Sequence, residues 1–432
     1  MKISKFQLIT LALFILFLIG GVAAFALYKG SSVDETIPAV TIWGTFPKDT
    51  FDLYVSKINT NLAQPLSVTY VQKTTSNFSQ DFIAALARGT GPDGILIPVD
   101  MLLPHYDKLA LVPYTALPQR TFIDSYIDEA RIYLNDNGIL ALPFTVDPLM
   151  MYWNRDTFNA AGIAAYPRYW DEFTGLNKRL TTKDQNGNIR KTAIALGDFT
   201  NLTNAREILG TLIMQVGNPV TVVNADGFAE STLKVNASAD PAPALEFFTK
   251  FIDPTNADYS WNRGLPPSKS AFLSSTLATY FGFASELNDI RTKNPNLNFD
   301  VAPLPQIRTG GVKAAYARLN GFSIVRASPV PNAVFQVMSI LTSPDNLAQL
   351  NESLYLPTVR RDVIARGSTD PYVTIFNQAA LIGKTWVDAD PAASRSIFAD
   401  MTEAISSGRK IMIQALQDAG NEYDIILKNA TK

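Results

Sequence analysis

The hydrophobic residues of this chain form one long unbroken run near its beginning and many shorter runs after it. The first run, from Phe6 to Tyr28, holds no charged side chain, and Lys2 and Lys5 precede it. At about 1.5 Å of rise per residue, a helix over this run crosses a hydrocarbon layer of roughly 30 Å. The lysines favour a cytoplasmic stub of residues 1–5. The pattern therefore predicts a single-pass cell-membrane anchor over residues 6–28, a polar tether over residues 29–38 and an extracellular or periplasmic remainder.

A cleaved signal peptide is the alternative to a retained anchor. Ala24-Phe25-Ala26 has the small-x-small pattern that signal peptidase reads, so cleavage would follow Ala26. The apolar run exceeds the roughly 7 to 15 residues of a signal-peptide core, which favours the anchor. A lipid-modified amino terminus would need a cysteine, and the sequence contains none. Both open alternatives export the remainder of the chain.

Beyond the tether, short apolar runs alternate between the periods of strands and helices. Strand-length runs occupy residues 39–43, 66–71 and 94–98, and helical spacing covers residues 49–62 and 78–88. Strand, helix, strand, helix, strand is the pattern of a parallel sheet that is covered by helices. The sequence therefore predicts an α/β fold.

Two apolar runs at residues 138–144 and 149–154 predict buried strands, and the polar stretch 145–148 lies between them. We interpret this short, proline-containing link as a crossing from one lobe to another. The later pattern is mostly helical at residues 170–299 and after residue 362, with strands at 298–303 and 321–325 and a helix at 332–341.

Composition narrows the classes of function. Hydrophobic residues make up 47% of the chain and charged residues 18%, which is typical of a globular protein. The 37 basic and 39 acidic side chains give a net charge of −2, so there is no electrostatic basis for binding nucleic acid. Without cysteines, an exported protein of this size depends on a large apolar core for its stability.

Residue types that carry catalysis or bind metals are scarce. The single histidine, His105, is expected in a loop or at the surface, and histidine- or cysteine-based triads and the usual zinc sites lack their residues. The alternating Asp and Asn of residues 184–188 indicate an Asn-Gly hairpin turn, because a calcium loop would need a glutamate where Ala195 stands. The sequence favours a binding protein without metal or cofactor. An aspartate pair that cleaves glycosides, such as Asp100 and Asp147, stays an open alternative.

Several short strings recur in an order and spacing that cover nearly all of the chain after the tether. They lie at residues 40–44, 91–96, 142–144, 151–156, 170–173, 302–305, 320–321 and 356–362. In this order the chain resembles an extracellular solute-binding protein of family 1, the maltose-binding-like group that serves ABC importers. No single string is specific, but their sequence along the chain is.

The resemblance implies a two-lobed periplasmic-binding fold of type II, whose lobes close over a ligand around a hinge. The amino-terminal lobe would comprise residues 39–144 and 322–354, and the carboxy-terminal lobe residues 145–321 and 355–432. Hinge crossings are expected near residues 144–147, 318–321 and 353–356. The implied function is that of a monomeric receptor, which captures a small solute, with carbohydrate favoured, and delivers it to ABC permease subunits.

Ligand contacts in this family come from loops after strands of the first lobe, from the hinge and from aromatic residues of the second lobe. The residues at these positions are Trp43, Thr45, Phe46, Asp100, Thr145, Asp147, Tyr280, Phe281, Asn320 and Trp386. Ligands of α/β lobes bind at the carboxyl ends of strands, and aromatic faces with carboxylates and amides suit neutral polyols. The segment 281–283 lacks the tryptophan that the family often has there. Trp261 and Trp386 lie among polar residues and are expected to be exposed.

A second hypothesis of a different class uses the same fold. The chain could be a membrane-tethered sensor or an adhesion ectodomain that acts through a partner membrane protein. Only residues 1–5 would lie in the cytoplasm, too few to carry signalling residues of their own. This favours the importer receptor.

Overall fold

The computed structural model describes residues 37–224, 228–234 and 240–430. The predicted anchor over residues 6–28, the alternative cleavage site after Ala26 and most of the tether lie outside these ranges. Among the residues that the structure describes, no helix is both long and apolar enough to cross a membrane.

The strands follow the short apolar runs of the sequence. They are β1 (Val40–Gly44), β2 (Val68–Gln72), β3 (Gly94–Pro98), β4 (Leu109–Ala110), β5 (Leu134–Asn135), β6 (Gly138–Ile139), β7 (Leu142–Asn154), β8 (Thr182–Lys183), β9 (Ile189–Lys191), β10 (Thr221–Val223), β11 (Ala229–Ser231), β12 (Thr279–Phe283), β13 (Phe299–Pro303), β14 (Ala315–Val325) and β15 (Gly383–Lys384).

Fifteen α-helices lie between and after these strands in the residues that the structure describes. They are α1 (Lys48–Asn59), α2 (Phe78–Ala87), α3 (Gln119–Ser125), α4 (Arg155–Ala160), α5 (Glu172–Leu180), α6 (Ala205–Gln215), α7 (Ala242–Thr249), α8 (Ser268–Leu273), α9 (Leu287–Lys293), α10 (Pro331–Leu341), α11 (Pro344–Leu354), α12 (Arg361–Arg366), α13 (Pro371–Leu381), α14 (Pro391–Ser406) and α15 (Met412–Ala430).

Local signals set several helix ends. The side chain of Asn154 accepts a hydrogen bond from the backbone of Thr157 at the start of α4, and Asp390 caps α14 in the same way. Gly162 follows α4 with φ of +65°, a left-handed conformation that glycine adopts readily at the end of a helix. These caps satisfy backbone groups that have no partner within the helix.

The first part of the main sheet confirms the predicted parallel α/β arrangement. β1 pairs in parallel with β2 on one side and with β3 on the other, so that Ile42 stands opposite Tyr70 and Gly94. Parallel neighbours need a crossover connection, and α1 and α2 provide it. The carboxyl ends of these three strands therefore meet at one edge of the sheet.

The predicted break between two strands at residues 145–148 is wrong, because β7 runs through it without interruption, while the predicted crossing between lobes stays a prediction. Residues of β7 up to Pro148 pair with β14, and from Leu149 onward the partners of β7 are β12 and β13. Pro148 stands where the strand changes partners, a place where a missing N–H is tolerated. The thirteen-residue β7 therefore joins the two groups of strands that make up the two α/β lobes.

His105 is buried, which corrects the expectation of a loop or surface histidine. Its side chain is 0% exposed and packs edge-on against Phe78 and Phe82, with ring centroids 5.8 and 5.2 Å away. Nε2 lies 3.1 Å from Oγ of Ser79. Burial, helped by the charge of Lys108, lowers the pKa of His105 to about 4. The imidazole is therefore a neutral part of the core.

Candidate functional site

A cavity of about 600 Å³ lies where the carboxyl ends of β1 and β3 meet the long strands β7 and β14. Its wall combines hydroxyl, amide, carboxylate and guanidinium groups with apolar side chains. The lining residues are Thr45, Phe46, Pro47, Thr50, Thr75, Pro98, Asp100, Met101, Thr145, Asp147, Glu207, Ser285, Arg318, Asn320, Leu354, Leu356 and Pro391.

The structure brings six of the ten predicted contact residues to this cavity. They come from the loop after β1, from the turn after β3 and from the paired strands β7 and β14. These six are Thr45, Phe46, Asp100, Thr145, Asp147 and Asn320. The strand-end argument therefore led to the edge of the sheet where this cavity lies.

Trp43, Tyr280 and Phe281 do not line the cavity. Trp43 is half-buried, with Nζ of Lys73 4.1 Å from its ring centroid. Tyr280 is 1% exposed, and its hydroxyl donates to Glu286 over 2.8 Å. The ring of Phe281 packs edge-on against another aromatic ring of the core. Because β12 is buried at all five of its positions, its aromatic residues face packed core on both sides.

Trp386 and Trp261 lie in the core, which corrects the expectation that they are exposed. Trp386 is 2% exposed, and its Nε1 donates to the hydroxyl of Tyr423 over 3.0 Å. The Arg206 guanidinium lies 4.5 Å from the centroid of the Trp386 ring. Trp261 is 1% exposed and donates to Asn201. Some of the polar neighbours that suggested exposure are themselves buried: Thr385 is bonded to Glu129 and Asp388 to Arg206.

Asp147 is held in place by donors from another segment. The backbone N–H of Ser285 donates to Oδ1 over 3.0 Å, and the Ser285 hydroxyl donates to Oδ2 over 2.7 Å. On the neighbouring strand Arg318 stands directly opposite, with Nη1 3.8 Å from Oδ2. Burial raises the pKa of Asp147, and these donors and Arg318 act against that rise. The result is a fixed acceptor at the wall of the cavity.

Asp100 and Glu207 share one buried donor. Nη1 of Arg206 lies 3.4 Å from Oδ2 of Asp100 and 3.1 Å from Oε1 of Glu207. The Tyr316 hydroxyl donates to the same Asp100 oxygen over 3.2 Å. Burial raises the pKa of Asp100, against the lowering effect of Arg206. The two carboxylates therefore converge on one side of the cavity.

Arg206 itself does not line the cavity, being 2% exposed on α6. Its Nε donates to Oγ of Ser394 over 2.8 Å, and its Nη2 lies 2.5 Å from Oδ2 of Asp388. A planar guanidinium with several fixed donors suits this task better than a flexible ammonium. Arg206 therefore lies outside the cavity and holds the carboxylates of Asp100 and Glu207 in position at its wall.

The remaining wall offers neutral polar and apolar contacts. Nδ2 of Asn320 donates to Oγ1 of Thr145 across the β7–β14 pair, over 3.0 Å. Phe46 is the one aromatic ring among the lining residues, and it packs edge-on against Phe144 at 5.6 Å. A half-buried aromatic ring at the cavity wall is suited to the apolar side of a sugar.

Sequence reasoning missed several lining residues, among them Glu207, Ser285 and Arg318. Glu207 belongs to a largely buried helix, and no spacing signal marks one of its residues as facing a cavity. Ser285 follows a strand that was not predicted. Arg318 had a signal: it is a charged residue inside a strand run, next to the predicted crossing at residues 318–321.

A metal site has no support in the part of the chain that the structure describes, where no group of three or more histidine or acidic side chains could hold an ion. The chemistry of the wall is that of hydrogen bonding and charge pairing.

Comparison with known proteins gives a consistent picture. The model of the bacterial extracellular solute-binding protein family matches residues 59–348, more than half of the chain. None of the curated proteins matches the sequence at a significant level. Many solved structures match it.

Three of these structures illustrate the likeness in fold. A cyclo/maltodextrin-binding protein complexed with maltotetraose has a TM-score of 0.71 at 17% identity, over 90% of this chain and 96% of that one. A cyclic α-maltosyl-1,6-maltose binding protein from Arthrobacter globiformis has a TM-score of 0.70 at 18% identity, over 91% and 99%. An ABC transporter solute-binding protein from Thermotoga lettingae bound with α-D-tagatose has a TM-score of 0.64 at 16% identity, over 90% and 99%.

Proposed function

The chain belongs to the bacterial extracellular solute-binding protein family, and from this premise we propose that it captures a carbohydrate in the cavity described above and delivers it to an ABC permease. The observation that carries the proposal is the wall of that cavity. It sets fixed carboxylate and amide groups beside the aromatic face of Phe46. Sugars present both hydroxyl groups and apolar C–H faces, and this wall meets both.

The cavity size agrees with a small solute. Its volume of about 600 Å³ falls in the range of small-molecule sites, roughly 300 to 1,000 Å³. The three solved relatives are described as binding maltotetraose, a cyclic maltosyl-maltose and tagatose. At 16 to 18% identity they share the fold with this chain, so their ligands guide the choice of probes.

Capture would proceed by closure of two lobes. We assign residues 39–144 and 322–354 to one lobe and residues 145–321 and 355–432 to the other. The segments that connect them are β7, β14 and the turn after α11, where Tyr355 adopts a left-handed conformation with φ of +53°. A few such residues can absorb the backbone rotation of a hinge. Ligand bound to both lobes would then favour the closed form.

Membrane tethering belongs to the same proposal. The apolar run at residues 6–28 would hold the receptor as a monomer beside its permease, outside the cell. Within this family, binding without catalysis is the ordinary role, and we propose no reaction for Asp100 and Asp147.

A label-free thermal-unfolding screen of the purified full chain tests the proposal. Probes are mono- and oligosaccharides, with amino acids, polyamines and organic phosphates as competing classes. A ligand at about 100 times its dissociation constant stabilises the folded form by about 2.7 kcal/mol, a clear rise in melting temperature. We expect this rise with at least one carbohydrate. A rise with another class alone overturns the carbohydrate proposal, and silence in all classes favours a sensor or protein-partner role.

A further inference from the structure

We propose that the cavity selects carbohydrates that carry a protonated amino group, that is, amino sugars. This inference rests on the proposed function and concerns the charge of the ligand. It follows from an imbalance between the acidic and basic side chains around the cavity.

Three carboxylates and one guanidinium line the cavity. The carboxylates belong to Asp100, Asp147 and Glu207, and the guanidinium belongs to Arg318. Arg318 faces Asp147, its register partner on the next strand, with Nη1 3.8 Å from Oδ2. This pairing matches one negative charge with one positive charge and leaves Asp100 and Glu207 to be balanced.

Arg206 does not balance the remaining excess of acidic side chains. Its shortest ionic contact is with Asp388, at 2.5 Å, and the Asp388 side chain is 0% exposed. Asp100 and Glu207 lie farther from it, at 3.4 and 3.1 Å, and share a single nitrogen. The cluster as a whole therefore holds four carboxylates and two guanidinium groups, a surplus of two negative charges at a partly enclosed site. Such a surplus favours a cationic partner.

The geometry also fits the donors of an ammonium group. Among the residues that the structure describes, both donors to Asp100 engage Oδ2, and the donor to Glu207 engages Oε1. A ligand can therefore approach the other carboxylate oxygens. An ammonium group has three donors and a full charge, whereas a hydroxyl group has one donor and no charge. Charge-assisted hydrogen bonds are about twice as strong as neutral ones.

The rest of the wall indicates that the cation sits on a polyhydroxylated body. Thr45, Thr145 and Asn320 offer neutral hydrogen-bonding groups on the same cavity, and Phe46 offers an apolar face. A bare polyamine would not use the remaining hydrogen-bonding capacity of these groups. An amino sugar engages both parts of the wall.

Isothermal titration of the full chain with matched sugar pairs tests this inference. The pairs are glucose and glucosamine, galactose and galactosamine, mannose and mannosamine, and cellobiose and the β-1,4-linked glucosamine disaccharide, at a pH where the amines are protonated. The N-acetylated forms, which lack the charge, serve as controls. In at least one pair we expect the amino sugar to bind about tenfold to a hundredfold more tightly than its neutral partner.

The outcomes separate this inference from the proposed function. If the neutral members bind as tightly as the amino members or more tightly, the amino-sugar inference is overturned and carbohydrate capture stands. If no sugar of any pair binds, the amino-sugar inference is overturned, and the thermal-unfolding screen with the wider set of sugars decides on carbohydrate capture.

Two variants that each remove one charge show which side chains determine the preference. We expect Glu207→Gln to reduce the amino-to-neutral affinity ratio and Arg318→Gln to increase it, because the first removes a negative charge and the second a positive one. Glu422→Gln, on the exposed surface of α15, is the matched control and should leave the ratio unchanged. An unchanged ratio in both cavity variants would contradict the charge argument.

Discussion

Nη2 of Arg206 lies 2.5 Å from Oδ2 of Asp388, and the two side chains are 2% and 0% exposed. The pair ties α6 to the segment before α14, and the Trp386 ring covers the guanidinium. Burial of an ion pair removes the hydration of both charged groups. The pair is stable only while both groups and their other hydrogen bonds are present to compensate.

Removal of Arg206 should therefore destabilise the whole protein. We expect Arg206→Met to lower the free energy of unfolding by about 3–5 kcal/mol, because it leaves Asp388 buried without its partner. Urea denaturation measures the change. Arg308→Met is the control: Arg308 pairs with Asp171 at the surface, so its loss should change the free energy of unfolding little. Equal effects of the two variants would contradict the difference in burial.

Loss of the Asp147 charge should weaken ligand binding without unfolding the chain. Asp147→Asn keeps the size of the side chain but offers a weaker acceptor at the cavity wall, beside Ser285 and Arg318. We expect the dissociation constant for the sugar found in the screen to rise about tenfold or more, with circular dichroism unchanged. Asp345→Asn, at a side chain 89% exposed, is the control. An unchanged affinity for Asp147→Asn would remove this residue from the site.

The sequence predicted those elements whose own residues show the hydrophobic pattern of a strand or a helix. β1, β2 and β3 alternate with two amphipathic helices, and all were predicted close to their true bounds. The continuity of β7 was missed because Pro148 normally interrupts a strand, and only the change of partners at Leu149 makes it harmless. β3 is buried throughout as well and was predicted, but β12 was missed because it lies inside the stretch 170–299 that was interpreted as mostly helical.

The residues that line the cavity were predicted where they lie at or near strand ends. Asp100, Asp147 and Phe46 follow or belong to strands whose ends converge, and the strand-end rule finds such residues. Arg206 and Trp386 escaped it, because their contact depends on α6 packing on a segment about 180 residues later. Tertiary pairing of this kind leaves no pattern in a single sequence.

The buried histidine gives stability a dependence on pH. The pKa of His105 is about 4 in the folded protein, while an unfolded chain takes up the proton near pH 6.5. The contribution of His105 is therefore complete above about pH 6.5 and is lost as the pH falls toward 4, by about 3 kcal/mol in total.

A titration of the imidazole protons by NMR measures this pKa, and its assignment is unambiguous because the chain has a single histidine. A titration midpoint near pH 6.5 would contradict the burial. The stability difference from His105→Gln across this range measures the energy.

Two glycines inside helices test the packing around Trp386. A Cβ atom on Gly210, in α6, would lie 2.5 Å from Cη2 and 2.6 Å from Cζ3 of that ring. The ring cannot yield easily, because Arg206 and Tyr423 hold it in place. We expect Gly210→Ala to destabilise the protein by about 1–3 kcal/mol in urea denaturation.

Gly175, in the interior of α5, is the matched control, since no atom lies within 4 Å of the Cβ that alanine would add. There the same substitution removes only the flexibility of glycine in the unfolded chain, so Gly175→Ala should stabilise the protein by about 0.5–1 kcal/mol. Opposite signs for two identical substitutions in two helices would follow from the position of Trp386 alone. If Gly210→Ala also stabilised the protein, the Trp386 ring would have to lie elsewhere. Trp386 would then again be a candidate for ligand contact.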